Sequence, residues 1–315
     1  MRIKKWIIQV WERIYYSEFL LNRIYQKSNK NFRVNVLRSE QTIRRILETG
    51  CSIARFGDGE FELVLDPQID LGFQKRNAVL ADRLRDVLAS KNPDLMICIP
   101  YTFRSIRGRT EHSRKFWYSW ARRNDQLSRA VKLMRRLQPE GYSYGDSQIT
   151  RPYIAFGSPK HAKKIFPLLK QLWQDRDILI VEGEKTRLGV GNDLLSGARS
   201  VQRILCPATN AFDRYTDILR TVKTHWNGEL ILLALGPTAT VLAADLADAG
   251  IQALDVGHMD IEYEWFLSGA REHAVVAGKF TNEAHGGNRV ADCVDERYAK
   301  QVIARIGTVK TQAEF

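Results

Sequence analysis

A Rossmann-like α/β fold, with a mostly parallel sheet covered by helices on both faces, is what this sequence predicts. Two observations carry that prediction. Short, near-continuous apolar runs recur along the chain, and segments with helical spacing stand between many of them. Strands buried on both faces read as unbroken apolar runs, and strand–helix alternation is the mark of a parallel sheet with crossover helices.

In chain order, strands are predicted at Ser52–Phe56, Leu95–Ile99, Tyr153–Phe156, Ile178–Val181, Val201–Cys206, Leu230–Leu235 and Ala253–Val256. Helices are predicted over Asn77–Ser90, Glu111–Leu137, Lys160–Trp173, Ala211–Thr224 and Pro237–Ala249. Ahead of them, residues 1–30 form an amphipathic helix, with Ile3, Ile7, Val10, Ile14 and Leu21 at helical spacing. Its tryptophans and its Lys4, Lys5 and Arg13 suit packing on the body of the protein, on a second subunit or on an anionic membrane. The expected organisation is an N-terminal helical extension (1–35), a single α/β domain (36–290) and a C-terminal helix and tail (291–315).

Composition narrows the function classes. The 315 residues are 44% hydrophobic and 27% charged, which is ordinary for a globular chain with a large core. A formal net charge of +12 favours anionic partners without choosing among them. No stretch reaches the roughly 18 uncharged apolar residues that a spanning helix needs, and the basic start lacks the apolar core and cleavage site of a signal peptide. Cys51, Cys98, Cys206 and Cys293 are far apart, so no Cys-x-x-Cys site exists, and reduced thiols in a cytoplasmic protein are expected. Basic clusters such as Arg104–Arg109 come with no nucleic-acid motif and no interleaved aromatics, so no nucleic-acid partner is expected.

In open α/β sheets ligands gather beyond the carboxyl ends of the strands. The turn Arg55-Phe56-Gly57-Asp58-Gly59-Glu60 follows the first such strand. Its two carboxylates, two residues apart, offer hard oxygen donors for Mn²⁺ or Mg²⁺, and Arg55 could offset them or reach a phosphate. The alternative is a plain turn in which Asp58 caps the next helix. The segment Glu182–Asp193 follows another strand. Lys185 and Arg187 could meet a diphosphate there, and Gly189 and Gly191 would let the backbone approach it at a helix start. Leu194 replaces the third glycine of the dinucleotide fingerprint, so a glycine-rich surface loop is the alternative.

Gly236-Pro237-Thr238 opens a helix whose free N–H groups could receive an anion, or simply punctuates strand and helix. Asp255, His258, Asp260 and Glu262 crowd the end of the last strand, as a metal ligand, a general base or a sugar-hydroxyl acceptor. Asp146 and Arg151 precede a predicted strand; Arg151 could clamp a phosphate or pair with Asp146.

As an ordered set, Arg55–Glu60, Thr150–Tyr153, Glu182–Asp193, Leu235–Thr240 and Asp255–Trp265 resemble the bacterial GT-D-type glycosyltransferases over residues 36–285. The resemblance implies a nucleotide-sugar donor, UDP-glucose by default, and Mn²⁺ or Mg²⁺ held by Asp58 and Glu60 as an Asp-x-Glu motif. It implies that Arg55, Gly57, Arg151, Glu182, Lys185, Thr186, Arg187, Gly189, Gly191, Asn192, Gly236 and Thr238 bind the donor, with His258, Asp260 and Glu262 near the sugar. The implied acceptor is a glycan, glycoprotein or lipid-linked acceptor of the bacterial surface; residues 1–30 lie outside the resemblance, and their amphipathic pattern alone suggests peripheral membrane contact. A metal-dependent phosphohydrolase or nucleotidyltransferase would use the same carboxylates and is the competing expectation.

Overall fold

The computed structural model describes residues 34–307, together with Arg23. The helix expected over residues 1–30 lies, apart from Arg23, outside the described residues, as does the tail beyond Gly307.

Among the described residues nine strands form one parallel sheet: β1 (Asn35–Val36), β2 (Ser52–Arg55), β3 (Leu95–Ile99), β4 (Ser143–Asp146), β5 (Asp177–Gly183), β6 (Ser200–Cys206), β7 (Leu230–Ala234), β8 (Ala253–Asp255) and β9 (Val302–Arg305). Their spatial order is β1-β4-β3-β2-β8-β7-β5-β6-β9. The helices are α1 (Ser39–Thr49), α2 (Asp58–Leu65), α3 (Ala78–Ala89), α4 (Glu111–Arg122), α5 (Gln126–Leu137), α6 (Lys160–Lys170), α7 (Tyr215–His225), α8 (Pro237–Asp248), α9 (Met259–Ser268) and α10 (Glu296–Gln301).

Side chains on a strand alternate between faces, and here both faces are apolar. Leu179 and Val181 of β5, with Ile231 and Leu233 of β7, pack under α2, α3, α4, α5, α7 and α8. Ile178 and Ile180, with Leu230 and Leu232, pack under α1, α6 and α9. Two buried layers therefore sandwich the sheet, as the unbroken apolar runs require.

The expected helix over Glu111–Leu137 is two helices, because Asn124 (φ 48°) and Asp125 (φ 53°) turn left-handed between them. Tyr153–Phe156 is not a strand. The N–H groups of Tyr153 and Ile154 donate to the Glu262 carboxylate at 3.1 and 3.0 Å, which removes them from any ladder. The sheet gains β1, β4 and β9 instead, and β9 pairs with β6 from within the C-terminal segment. Cys51, Cys98, Cys206 and Cys293 are free thiols, the first three buried.

Candidate functional site

The carboxyl ends of β2, β5, β7 and β8 open into one cleft of 790 Å³, bordered by Arg55, Gly183, Ala234 and Asp255. The chain runs from β2 outward to β3 and β4, and returns through β7 and β8 to β2's other edge. Such a switch in strand order leaves a crevice between diverging connections.

Arg55 and Asp255 frame the crevice. Arg55 Nη2 donates to Asp255 Oδ1 at 2.9 Å, Nε to the Asp255 carbonyl at 2.7 Å, and Nη1 to Thr150 Oγ1 at 2.8 Å. Arg55 therefore offsets a carboxylate, and its donors are engaged by protein groups. Gly257 (φ 46°) makes room for it, since a Cβ there would lie 2.0 Å from Nη2.

Asp58 and Glu60 occupy the first turn of α2 and line the cleft. The helix's cap position is Gly57, which has no side chain to offer. Glu60 Oε2 accepts the Gly57 N–H at 2.7 Å instead, so Glu60 rather than Asp58 performs the capping. Burial, and then the neighbouring Asp255 carboxylate, push Glu60 up to about 7. Burial also raises Asp58, opposed by Arg151. No described cation acts on Glu60 as Arg151 acts on Asp58, and the pair's donor set is all oxygen. Among the described residues no group of three or more His, Cys, Asp or Glu side chains gathers as a metal cage.

Arg151 and Asp146 do not pair with each other. Arg151 Nη2 donates to Glu283 Oε1 at 2.6 Å, while Asp146 accepts from Ser39 Oγ at 2.7 Å and the Gln148 N–H at 2.9 Å. Burial opposes the Glu283 charge, yet His258 and Arg151 hold it down at about 2. Burial lowers His258 to about 4, leaving it neutral near pH 7. Glu262 is raised to about 6 by burial, against Arg151 and two backbone N–H groups.

At the other end, Gly236 (φ 55°) starts α8 with Pro237 inside the first turn. A Cβ on Gly236 would meet the Phe73 ring at 2.7 Å. The Phe73 loop is tied down by the Asn210 N–H, which donates to the Phe73 carbonyl at 2.9 Å.

The family profile "Glycosyltransferase GT-D fold" matches residues 53–284, most of the chain and all of this cleft's strand ends. The chain belongs to the GT-D glycosyltransferase family. It is 39% identical over 274 residues to "Probable glycosyl transferase Gly" of Streptococcus gordonii, covering 87% of this chain and 39% of the relative. It is 37% identical over 268 residues to "Glycosyltransferase GlyD" of Streptococcus pneumoniae serotype 4, covering 85% and 32%. The chain thus spans well under half the length of these two relatives. A solved domain of unknown function 1792, described as having a distinct glycosyltransferase fold, superposes with a TM-score of 0.80 at 35% identity, covering 92% of this chain and all (100%) of that one. A glycosyltransferase from Streptococcus sanguinis gives 0.79 at 38% identity, covering 87% and 100%.

Within this GT-D fold, Arg55, Gly57, Asp58, Glu60 and Arg151 line the cleft, as do Thr186, Gly236, His258, Asp260 and Glu262. Asp260 is already neutralised, with Lys279 Nζ 2.6 Å away. The rest of the glycine-rich segment lies elsewhere. No helix starts there; residues 184–199 form turns. Glu182 is fully buried and paired to Arg203 Nη1 at 2.5 Å. Arg187 donates to the carbonyls of Gly278 (2.7 Å) and Ala291 (2.5 Å). The Lys185 carbonyl accepts the Phe280 N–H, and the Lys185 side chain does not border the cleft. The Gly189 N–H and Asn192 Nδ2 donate to Asp260 at 3.0 and 2.8 Å. Gly191 turns with φ 81° against open space. Thr238 is buried in the first turn of α8. None of these seven residues borders the cleft. Glu283, Phe73 and Asn210 also belong to the wall, and no sequence motif marks them. A pairing such as Arg151 with Glu283, 132 positions apart, leaves no local pattern to find.

Proposed function

We propose that this chain transfers a sugar from a nucleoside-diphosphate sugar, UDP-glucose by default, to a hydroxyl of a glycan, glycoprotein or lipid-linked acceptor. The names of the streptococcal relatives support glycosyl transfer. The observation that carries the donor class is the Asp58–Glu60 pair: two carboxylates, both raised by burial, on one helical turn facing a cleft at the sheet's switch point. An all-oxygen pair suits Mn²⁺ or Mg²⁺, which take their remaining ligands from water and phosphate. A bound ion of this kind neutralises the negative charge that grows on the departing diphosphate.

With Lys185 and Arg187 outside the cleft and Arg151 held by Glu283, the backbone at Gly236, just ahead of α8, is left to meet the phosphates. Phe73 and Gly236 border the space on the α8 side. Asp260 is committed to Lys279, so His258 and Glu262 border the sugar and the incoming hydroxyl. The reaction belongs in the cytoplasm, at the membrane's inner face if the acceptor is lipid-linked. Four free thiols accord with that compartment. No described helix is long and apolar enough to cross a membrane.

Incubation with UDP-glucose, Mn²⁺ and a glycopeptide acceptor tests the proposal by mass spectrometry. Free UDP with a heavier acceptor is expected, EDTA stopping the reaction and added Mn²⁺ restoring it. Release of phosphate or pyrophosphate would instead mark a phosphohydrolase or nucleotidyltransferase.

A further inference from the structure

Two buried carboxylate oxygens, on residues that border the cleft, have no hydrogen-bond donor: Glu262 Oε1 and Glu283 Oε2. Glu262 is fully buried (0% exposed), and its other oxygen is fixed by the N–H groups of Tyr153 and Ile154. The first oxygen is therefore held in place with nothing to accept from. Glu283 is arranged alike. Its Oε1 takes Arg151 at 2.6 Å, and its Oε2 lies 3.7 Å from His258 Nδ1, beyond hydrogen-bonding range. Both residues border the cleft that holds Asp58 and Glu60, and Arg151 feels the charge of Glu283, Glu262 and Asp58 together.

A buried carboxylate oxygen without a donor costs free energy until something supplies one. A second cation has little to gain here, because Arg151 already supplies positive charge to Glu283, at 2.6 Å, and acts on Glu262 as well. A neutral hydroxyl brings a donor without adding charge. Two such acceptors on one wall, with a guanidinium beside them, match the hydroxyls of a pyranose ring.

We propose that Glu262 and Glu283 accept hydroxyls of the transferred sugar, with Arg151 as the positioning residue that holds Glu283. This rests on the nucleotide-sugar reading above. It assigns Glu283 a role in donor choice: a site built to hydrogen-bond a hydroxyl rejects an analogue that lacks it.

The test separates nucleotide from sugar. Calorimetric titration with Mn²⁺ present compares UDP, UDP-glucose and single-deoxy UDP-glucose analogues on the unmodified chain, Glu262→Gln and Glu283→Gln. In the unmodified chain, UDP-glucose should bind more tightly than UDP, and at least one deoxy analogue should lose about tenfold, the size expected for a hydrogen bond to a charged group. Each Gln variant should keep its UDP affinity, lose the advantage of UDP-glucose, and stop discriminating against that analogue. Both variants keeping the full sugar advantage and discrimination would overturn the assignment. Failure of the unmodified chain to bind UDP at all would overturn the nucleotide-sugar reading, and this assignment with it. Should Glu262→Gln not fold, Glu283→Gln decides alone.

Discussion

The Arg55 guanidinium and the Asp255 carboxylate, 2.9 Å apart, join the carboxyl ends of two strands that lie 200 residues apart in sequence. β2 and β8 share a single register pair, Ile53 with Leu254. The side-chain clamp, with the Arg55 N–H donating to Asp255 Oδ2 at 3.3 Å, closes a seam that the ladder barely holds. Arg55→Ala would leave Asp255 buried without its cation. Loss of one partner of a buried pair costs about 3–5 kcal/mol. Urea unfolding should show a loss near the low end, because Thr240 Oγ1 still donates to Asp255 at 3.2 Å. Arg55→Ala with Asp255→Asn should recover part of it. A loss under about 1 kcal/mol would mean the seam is held by packing alone.

Asp58 and Glu60 separate by what else they do. Glu60 caps α2 through the Gly57 N–H, so Glu60→Ala should cost about 1 kcal/mol of stability as well as activity. Glu60→Gln keeps an acceptor oxygen and should spare the helix. Asp58→Asn touches no cap and should lower turnover by about 100-fold or more with an unchanged melting temperature. Normal turnover in both Asp58→Asn and Glu60→Gln would remove the pair from the chemistry.

Glu60 also sets a pH dependence. Its folded value of about 7 lies above its ordinary 4.5, so between those limits the folded chain binds more protons than the unfolded one. Its stabilising protonation is complete below about 4.5 and lost as pH rises through 7. Melting curves of the metal-free chain should fall over that window more steeply than those of Glu60→Gln. Mn²⁺ favours the ionised carboxylate and should reverse the difference at pH 7.5. Parallel curves for the two proteins would show that Glu60 does not titrate there.

Much of this architecture is legible in the sequence. β2, β3, β5, β7 and β8 are mainly apolar and buried along most of their length, and period and length suffice to find them, whereas β6 (Ser-Val-Gln-Arg-Ile-Leu-Cys) is buried only from Arg203 onward and shows its apolar run at Ile204–Cys206. β1 has two residues, and β4 reads Ser-Tyr-Gly-Asp, too short or too polar for that test. Tyr153–Phe156 has a strand's composition, but the N–H groups of Tyr153 and Ile154 go to Glu262 and that of Phe156 to the Tyr153 carbonyl, a competition decided in three dimensions. The same limit governs the site. Asp58, Glu60 and His258 stand directly after strands, and position at a strand end is local information. Glycines and cations at 185–191 looked alike in kind, yet Arg187 is consumed by two distant carbonyls.

Gly236 tests the α8 end of the cleft. Its φ of 55° and ψ of −142° suit glycine alone, and a Cβ would press on the Phe73 ring at 2.7 Å. Gly236→Ala should cost about 2 kcal/mol in strain and repacking. Displacing Phe73 from the wall should also weaken UDP binding, read by calorimetry, more than Phe73→Leu does. Full UDP affinity in Gly236→Ala would place the nucleotide away from α8.

Glu182 stands at the end of a central strand, where a ligand contact is expected, yet it is fully buried under the loop it supports. Arg203 Nη1 lies 2.5 Å from one oxygen, and the Leu188 N–H donates to the other at 2.8 Å. Arg203 also donates to the Leu188 carbonyl at 2.9 Å and to Gln301 Oε1 at 2.7 Å, linking the loop to the segment that carries β9. Burial raises the Glu182 carboxyl, and Arg203 opposes that rise. Glu182→Gln would strand the Arg203 charge, so a stability loss of about 3 kcal/mol is expected, with the KM for the donor changed less than about twofold once the chain is folded. A nucleotide contact predicts the reverse: unchanged unfolding and a raised KM. Measuring both quantities on the one variant decides between a residue that grips the donor and one that holds up the loop behind it.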